Sequence, residues 1–173
     1  MACNIVQGSE IQCRDAVGGV IEAYIAKYED LLSVTSSSGV ITAITMNVGK
    51  KFYTFQLEKE NAQYDNNATT SVENGTTFWE STLVFTMKKM SASQKNSVKT
   101  LVQSRLVVIV KDANGIYWLM GETRGADVTT LTMTSGKAMG DLSGSTVTVT
   151  GKEPDFDKQV TSSLITALLI PAP

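Results

Sequence analysis

The chain has 173 residues, a formal net charge of −2 and no histidine. That length suits one domain around one sizeable core, and the weak negative charge offers no basic face for gripping nucleic acid. Without histidine, a Ser-His-Asp or Cys-His site and an HExxH zinc motif are excluded within the chain, so neither an enzyme, a metal nor a cofactor is expected.

In chain order, Cys3 and Cys13 come first. No charged and then apolar leader precedes them, so the expectation is a reducing setting and two small apolar residues rather than a disulfide. Residues 19–28 (GVIEAYIAKY) open after a glycine pair and read as a strand. Residues 40–48 (VITAITMNV) are β-branched and bounded by Gly39 and Gly49, a second strand. Residues 51–60 alternate strictly, with Tyr53, Phe55 and Leu57 on one face and Thr54, Gln56 and Glu58 on the other. Residues 79–88 repeat the pattern, with Leu83, Phe85 and Met87 opposite Thr82, Thr86 and Lys88. Period two with one apolar face marks half-buried antiparallel strands.

Between those two strands lies NAQYDNNATTSVENGTTF, residues 61–78. Connections this long are uncommon and are usually functional or disordered. The expectation is a long polar hairpin loop.

The period then changes. Ser91 followed by Gln94 is a capping-box signature, and Val98, Leu101 and Val102 share one helical face. This predicts a helix over 91–105 with a narrow apolar stripe, lying on a sheet. LVVIV (106–110) reads as a buried strand, Asn114-Gly115 as a tight hairpin turn, and 116–122 as the returning strand. A strand around 129–134 and a last clear one at 145–151 follow. From about residue 152 the proline-marked KEPDFDKQV and the tail SSLITALLIPAP are expected to be extended or flexible. No apolar run reaches membrane-spanning length. Strands at intervals of about ten residues with turns between them argue for an antiparallel β-sandwich or barrel. The expectation is seven or eight strands, one flanking helix and a single domain over 1–173.

Several local patterns fail on spacing. Lys50 and Lys137 follow glycines but lack the phosphate-loop arrangement. Asp65-Asn66-Asn67 lacks the ligand spacing and terminal glutamate of an EF-hand. Asn67-Ala68-Thr69 and Asn74-Gly75-Thr76 are formal glycosylation sequons that mean little without a secretory signal. Glu153, Asp155 and Asp157 read as a solvated or inter-subunit acidic face. Trp79, Trp118, Tyr53 and Tyr117 read as core aromatics. Tyr24, Tyr28 and Tyr64 are scattered candidates for exposure, too few for a carbohydrate platform.

The order of elements carries more information than any motif. An antiparallel pair with an oversized connection precedes a short amphipathic helix, a tight hairpin and Gly/Thr-rich strands. This resembles the tail-tube fold of tailed bacteriophages. More closely, the chain is similar to the tail-tube-like and tail-hub proteins of phages infecting Bacteroidetes, including the crAss-like phages. The stretches that carry the likeness are MACN…CRDAVGGVIEAYI, VENGTTFWESTLVFTMKKMSASQKNSVKTLVQSRLVVIVKDANGIYWLMGE and GDLSGSTVTVTGKE, about half the chain. The resemblance implies a structural protein of the virion tail, assembled in the bacterial cytoplasm. It implies a homo-oligomeric ring, commonly hexameric, lining a channel through which DNA passes without specific binding, in contact with neighbouring tail proteins and no membrane. On that reading the 61–78 loop is an assembly contact, with Tyr64, Asp65, Asn66, Asn67, Val72 and Glu73 as its candidate residues. The alternative from another class is a small β-barrel or sandwich that binds a ligand or carbohydrate in an apolar pocket.

Overall fold

The computed structural model describes residues 8–11, 13–89 and 91–170. Its elements are β1 (Val20–Lys27), β2 (Leu31–Ser37), β3 (Val40–Met46), β4 (Phe52–Gln56), β5 (Ala62–Ser71), β6 (Thr76–Lys88), helix α1 (Ala92–Val102), β7 (Leu106–Asp112), β8 (Tyr117–Met120), β9 (Ala126–Thr134), β10 (Gly144–Glu153), β11 (Lys158–Val160), helix α2 (Ser162–Leu168) and β12 (Leu169–Ile170). The chain is mainly β, as its alternation implies.

Strand β7 organises the whole. Its first five residues, Leu106 to Val110, are all buried. Period two sends Leu106, Val108 and Val110 into one core and Val107 and Ile109 into the other. Strand β1 pairs with β7 antiparallel and divides its side chains the same way: Ala23 and Ile25 to the first core, Tyr24 and Ala26 to the second. A strand buried on both faces must be apolar at every position, which is why LVVIV shows no alternation.

The first core lies between this β1–β7 layer and the β9–β10–β6–β5 wall, where Leu83, Phe85, Val147 and Val149 point inward. Helix α1 closes its flank with Val98. The second core is covered by Ile41 of β3, Phe52 of β4, Val160 of β11 and Ile165 of α2. The strand order runs β2-β3-β11-β8-β7-β9-β10-β6-β5, and β4 and β12 extend from β1 on the side. Most pairings are antiparallel, but β11 joins β3 and β12 joins β4 in parallel.

The expected strands at 19–28, 40–48, 51–60, 79–88, 106–110, 116–122, 129–134 and 145–151 are all present with shifted ends. The helix is capped as expected: Ser91 Oγ accepts from the Gln94 N–H, and the Gln94 side chain accepts in return from the Ser91 N–H. The turn at Asn114-Gly115 also forms. Gly115 has φ 79°, and Asp112 Oδ1 accepts from the N–H groups of Asn114 and Ile116.

Four expectations are corrected. Residues 61–78 are not a loop, because β5 pairs with β6 rung by rung from Ala62↔Phe85 to Ser71↔Thr76. The thirteen-residue β6 is a template long enough to order a polar partner along most of its length. The C-terminal segment from 152 is not a loose tail: β11, α2 and β12 dock on the second core, burying Val160 and Ile165. It supplies a second helix, and the described residues hold twelve strands rather than seven or eight. Tyr53 is 60% exposed, not a core aromatic: it shares a face of β4 with Phe55, opposite Ile25 of β1, but lines an open cleft beside α1. Cys3 lies outside the described residues, while Cys13 is exposed.

Candidate functional site

The β5–β6 hairpin is the part of the fold that the core does not account for. Strand β10 accompanies β6 only from Lys88 to Trp79. Beyond Trp79 the hairpin continues on its own pairing, Thr69↔Phe78, Thr70↔Thr77 and Ser71↔Thr76, and then turns through residues 72–75. Gly75 closes the turn with φ 61°, a left-handed conformation that glycine adopts without steric cost. The hairpin is thus an arm: one length belongs to the wall and the next projects past it.

Along β5 the inward stripe is Ala62, Tyr64, Asn66 and Ala68, facing Phe85, Leu83, Ser81 and Trp79 of β6. The first two rungs join the core. The third is polar and enters a buried cluster at the base of the arm. Tyr64 Oη donates to Asp157 Oδ2 at 2.5 Å, and Asn66 Nδ2 donates to Ser81 Oγ at 3.3 Å. Asp157 is buried, and it is held there by the connection between β10 and β11. Glu153, the last residue of β10, is also buried, with Oε1 accepting from the N–H groups of Thr123 and Arg124 at 3.1 and 2.8 Å. On the next rung Trp79 meets Phe156 edge to face, ring centroids 5.9 Å apart. The C-terminal connection therefore clamps the base of the arm.

This cluster is electrostatically loaded. Burial, above all, pushes the Asp157 carboxyl above its ordinary range, and the charge of Glu153 adds to the rise. Hydrogen bonds from Ser81, Tyr64 and Asn66 work against it. Burial and the facing Asp157 charge likewise push the Tyr64 hydroxyl far above its ordinary range, so it acts as a donor. Asn66 Oδ1 and Glu153 Oε2 are buried with no protein partner. Among the described residues no group of three or more Cys, Asp or Glu could hold a metal ion, and no helix is long and apolar enough to cross a membrane.

The six residues singled out from the sequence thus separate into three pairs. Tyr64 and Asn66 point into the base and hold the arm in place. Asp65 and Asn67 face the other way on β5, with Asp65 accepting from Gln63 Nε2 at 2.8 Å and Asn67 exposed. Val72 and Glu73 stand at the tip, and Val72 is 92% exposed. The reading of Glu153, Asp155 and Asp157 as a solvated or inter-subunit face is corrected for two of them: Glu153 follows Val149 and Gly151 on the inward period of β10, and Asp157 is carried inward where the chain folds back between β10 and β11, leaving Asp155 exposed. Tyr24 and Tyr64 are likewise less exposed than expected, Tyr24 being fully buried with its hydroxyl donating to Glu22. Sequence reasoning missed Ser81, yet period two from Leu83 and Phe85 places it on their inward stripe. Nothing local marks Asp157.

A second feature is the cleft of about 330 Å³ between α1 and strands β1 and β4. Its floor is Ile25, Phe55 and Leu101, and Lys27, Lys50 and Lys51 stand at its rim. Comparison with known proteins finds no matching family model, no matching curated protein and no matching solved structure.

Proposed function

We propose that the chain is a structural subunit of a bacteriophage tail, a tube or hub protein whose copies close into a ring around the DNA channel, and that the β5–β6 arm is an assembly contact. The observation that carries this reading is the arm itself: a hairpin clamped at its base by buried polar groups that presents a nearly fully exposed valine at its tip. On a projecting turn, such a side chain gives an interface apolar area to bury. The free edges support the same reading. Strands β2 and β5 end the strand order on opposite sides, and each leaves one row of backbone donors and acceptors available to another chain. Edge-to-edge contact between two different edges is heterologous and closes into a ring when the rotation per copy allows it.

The test is the assembly state of the purified protein, by light scattering coupled to chromatography and by negative-stain electron microscopy. Rings or short tubes are expected. A protein that stays monomeric at the highest attainable concentration overturns the proposal. The arm is tested by a tip exchange confined to residues 72–75. Removing the whole 62–76 segment would delete the edge strand that covers Leu83 and Phe85, and would test folding instead of assembly.

A further inference from the structure

We infer that the cleft between α1 and strands β1 and β4 receives the arm tip of a second copy of this chain, Val72 seated on its apolar floor and Glu73 against its lysines. The inference rests on the assembly reading above and adds to it the surface on which the arm docks.

Between Glu80 and Asp112 the sequence contains no acidic residue and six cations, Lys88, Lys89, Lys95, Lys99, Arg105 and Lys111. Helix α1 lies inside this interval, so the wall it contributes to the cleft is uncharged or basic. The facing wall adds Lys27, Lys50 and Lys51. The single acidic residue lining the cleft, Asp30, already lies 3.7 Å from Lys50. Two lysines therefore remain for an incoming carboxylate, beside a floor of Ile25, Phe55 and Leu101. The rim also exposes apolar surface, with Tyr53 60% accessible.

An occupant that satisfies all of this couples an aliphatic side chain to an adjacent carboxylate on a projecting segment. The chain holds that complement in Val72-Glu73, on a four-residue turn that extends past the wall. Val72 is almost wholly exposed where it stands, so it does not fill the cleft of its own copy. Docking on a neighbour would remove Val72 from water, cover Tyr53, and place Glu73 near Lys27 and Lys51. The aliphatic anchor would supply the binding free energy, and the charge pair would supply register and encounter rate.

The test is a charge exchange read by sedimentation velocity at low and moderate salt. Glu73→Lys is expected to raise the dissociation constant of the self-associated form (Kd) at least about tenfold. Lys27→Glu combined with Lys51→Glu should do the same, and the triple variant should recover most of the loss. All these positions are exposed, and circular dichroism of each monomer checks that the fold is intact. If wild type assembles and the tip and cleft reversals each leave Kd within about twofold, the docking is overturned while the assembly reading stands. If the cleft reversal alone disrupts assembly, another segment fills the cleft and the docking is again overturned. A wild type that never associates overturns the assembly reading itself.

Discussion

Tyr64 and Val72 belong to one hairpin, yet Tyr64 is bonded to a buried aspartate while Val72 is 92% exposed. The base of the arm is built as an interior: alternation onto Leu83 and Phe85, a hydroxyl donor for the buried Asp157 carboxylate, an aromatic contact across to Phe156. The tip obeys the rules of a surface that is covered only in a complex. It has turn chemistry, no core contacts and one apolar side chain left in water. A stiff base limits the entropy that an arm loses when its tip is captured, which favours binding by a projecting segment.

Breaking the base should have the largest effect. Phe85→Ala opens a cavity in the first core and should cost about 3–5 kcal/mol of unfolding free energy, measured by urea denaturation. A loss below about 1 kcal/mol would mean that the wall does not depend on this rung. Tyr64→Phe keeps the packing and removes only the donor to Asp157, for an expected loss of about 1–3 kcal/mol. If the variant matches wild type, the hydroxyl is not what holds the base.

The pH dependence sharpens the same contrast. Asp157 titrates above its ordinary value near 3.8, with burial the chief cause. The folded state therefore keeps its proton to higher pH than the unfolded state does. The stability contributed by this group is complete below the ordinary value and is lost as pH rises through the raised folded value. Asp157→Asn cannot ionise, so it should gain on wild type over that rise when unfolding free energies are measured from acid to neutral pH. Parallel profiles would show that Asp157 carries no such shift. The smallest effect belongs to the tip: Val72→Ser should change monomer stability by no more than about 0.5 kcal/mol. The same substitution should weaken assembly, so a stability loss of several times that size would mean that the tip is part of the fold.

The hydrophobic period carried the framework. LVVIV read as a buried strand, the alternation at 79–88 pointed Leu83 and Phe85 inward, and Ser91 with Gln94 announced the helix start. Four strands escaped it. Strand β2 (LLSVTSS) is short of apolar residues because it is an edge. Strand β11 is three residues long and β12 two, below the length at which a period can be read. Strand β5 is rich in Asn and Asp, residues depleted in strands, so local propensity argued against it. It forms because β6 offers an unbroken ladder, and one inward face needs only Ala62 and Tyr64 to join the core.

The sequence by itself determined the β class, the central strand, the capped helix and the position of an unusual polar segment. Each of these is written in contacts between residues a few positions apart. Only the tertiary structure decided that this segment is a strand pair, that its base is a clamp and that its tip is free. The reason is distance along the chain: Tyr64 and Asp157 are 93 residues apart, and no local pattern in either segment specifies the other. Their meeting depends on β10 pairing with β6 from Lys88 to Trp79 and on the chain turning back at 154–157. That fold-back buries the Asp157 carboxylate, which composition alone assigns to solvent, and its clamp divides one polar stretch into an anchored half and an available one.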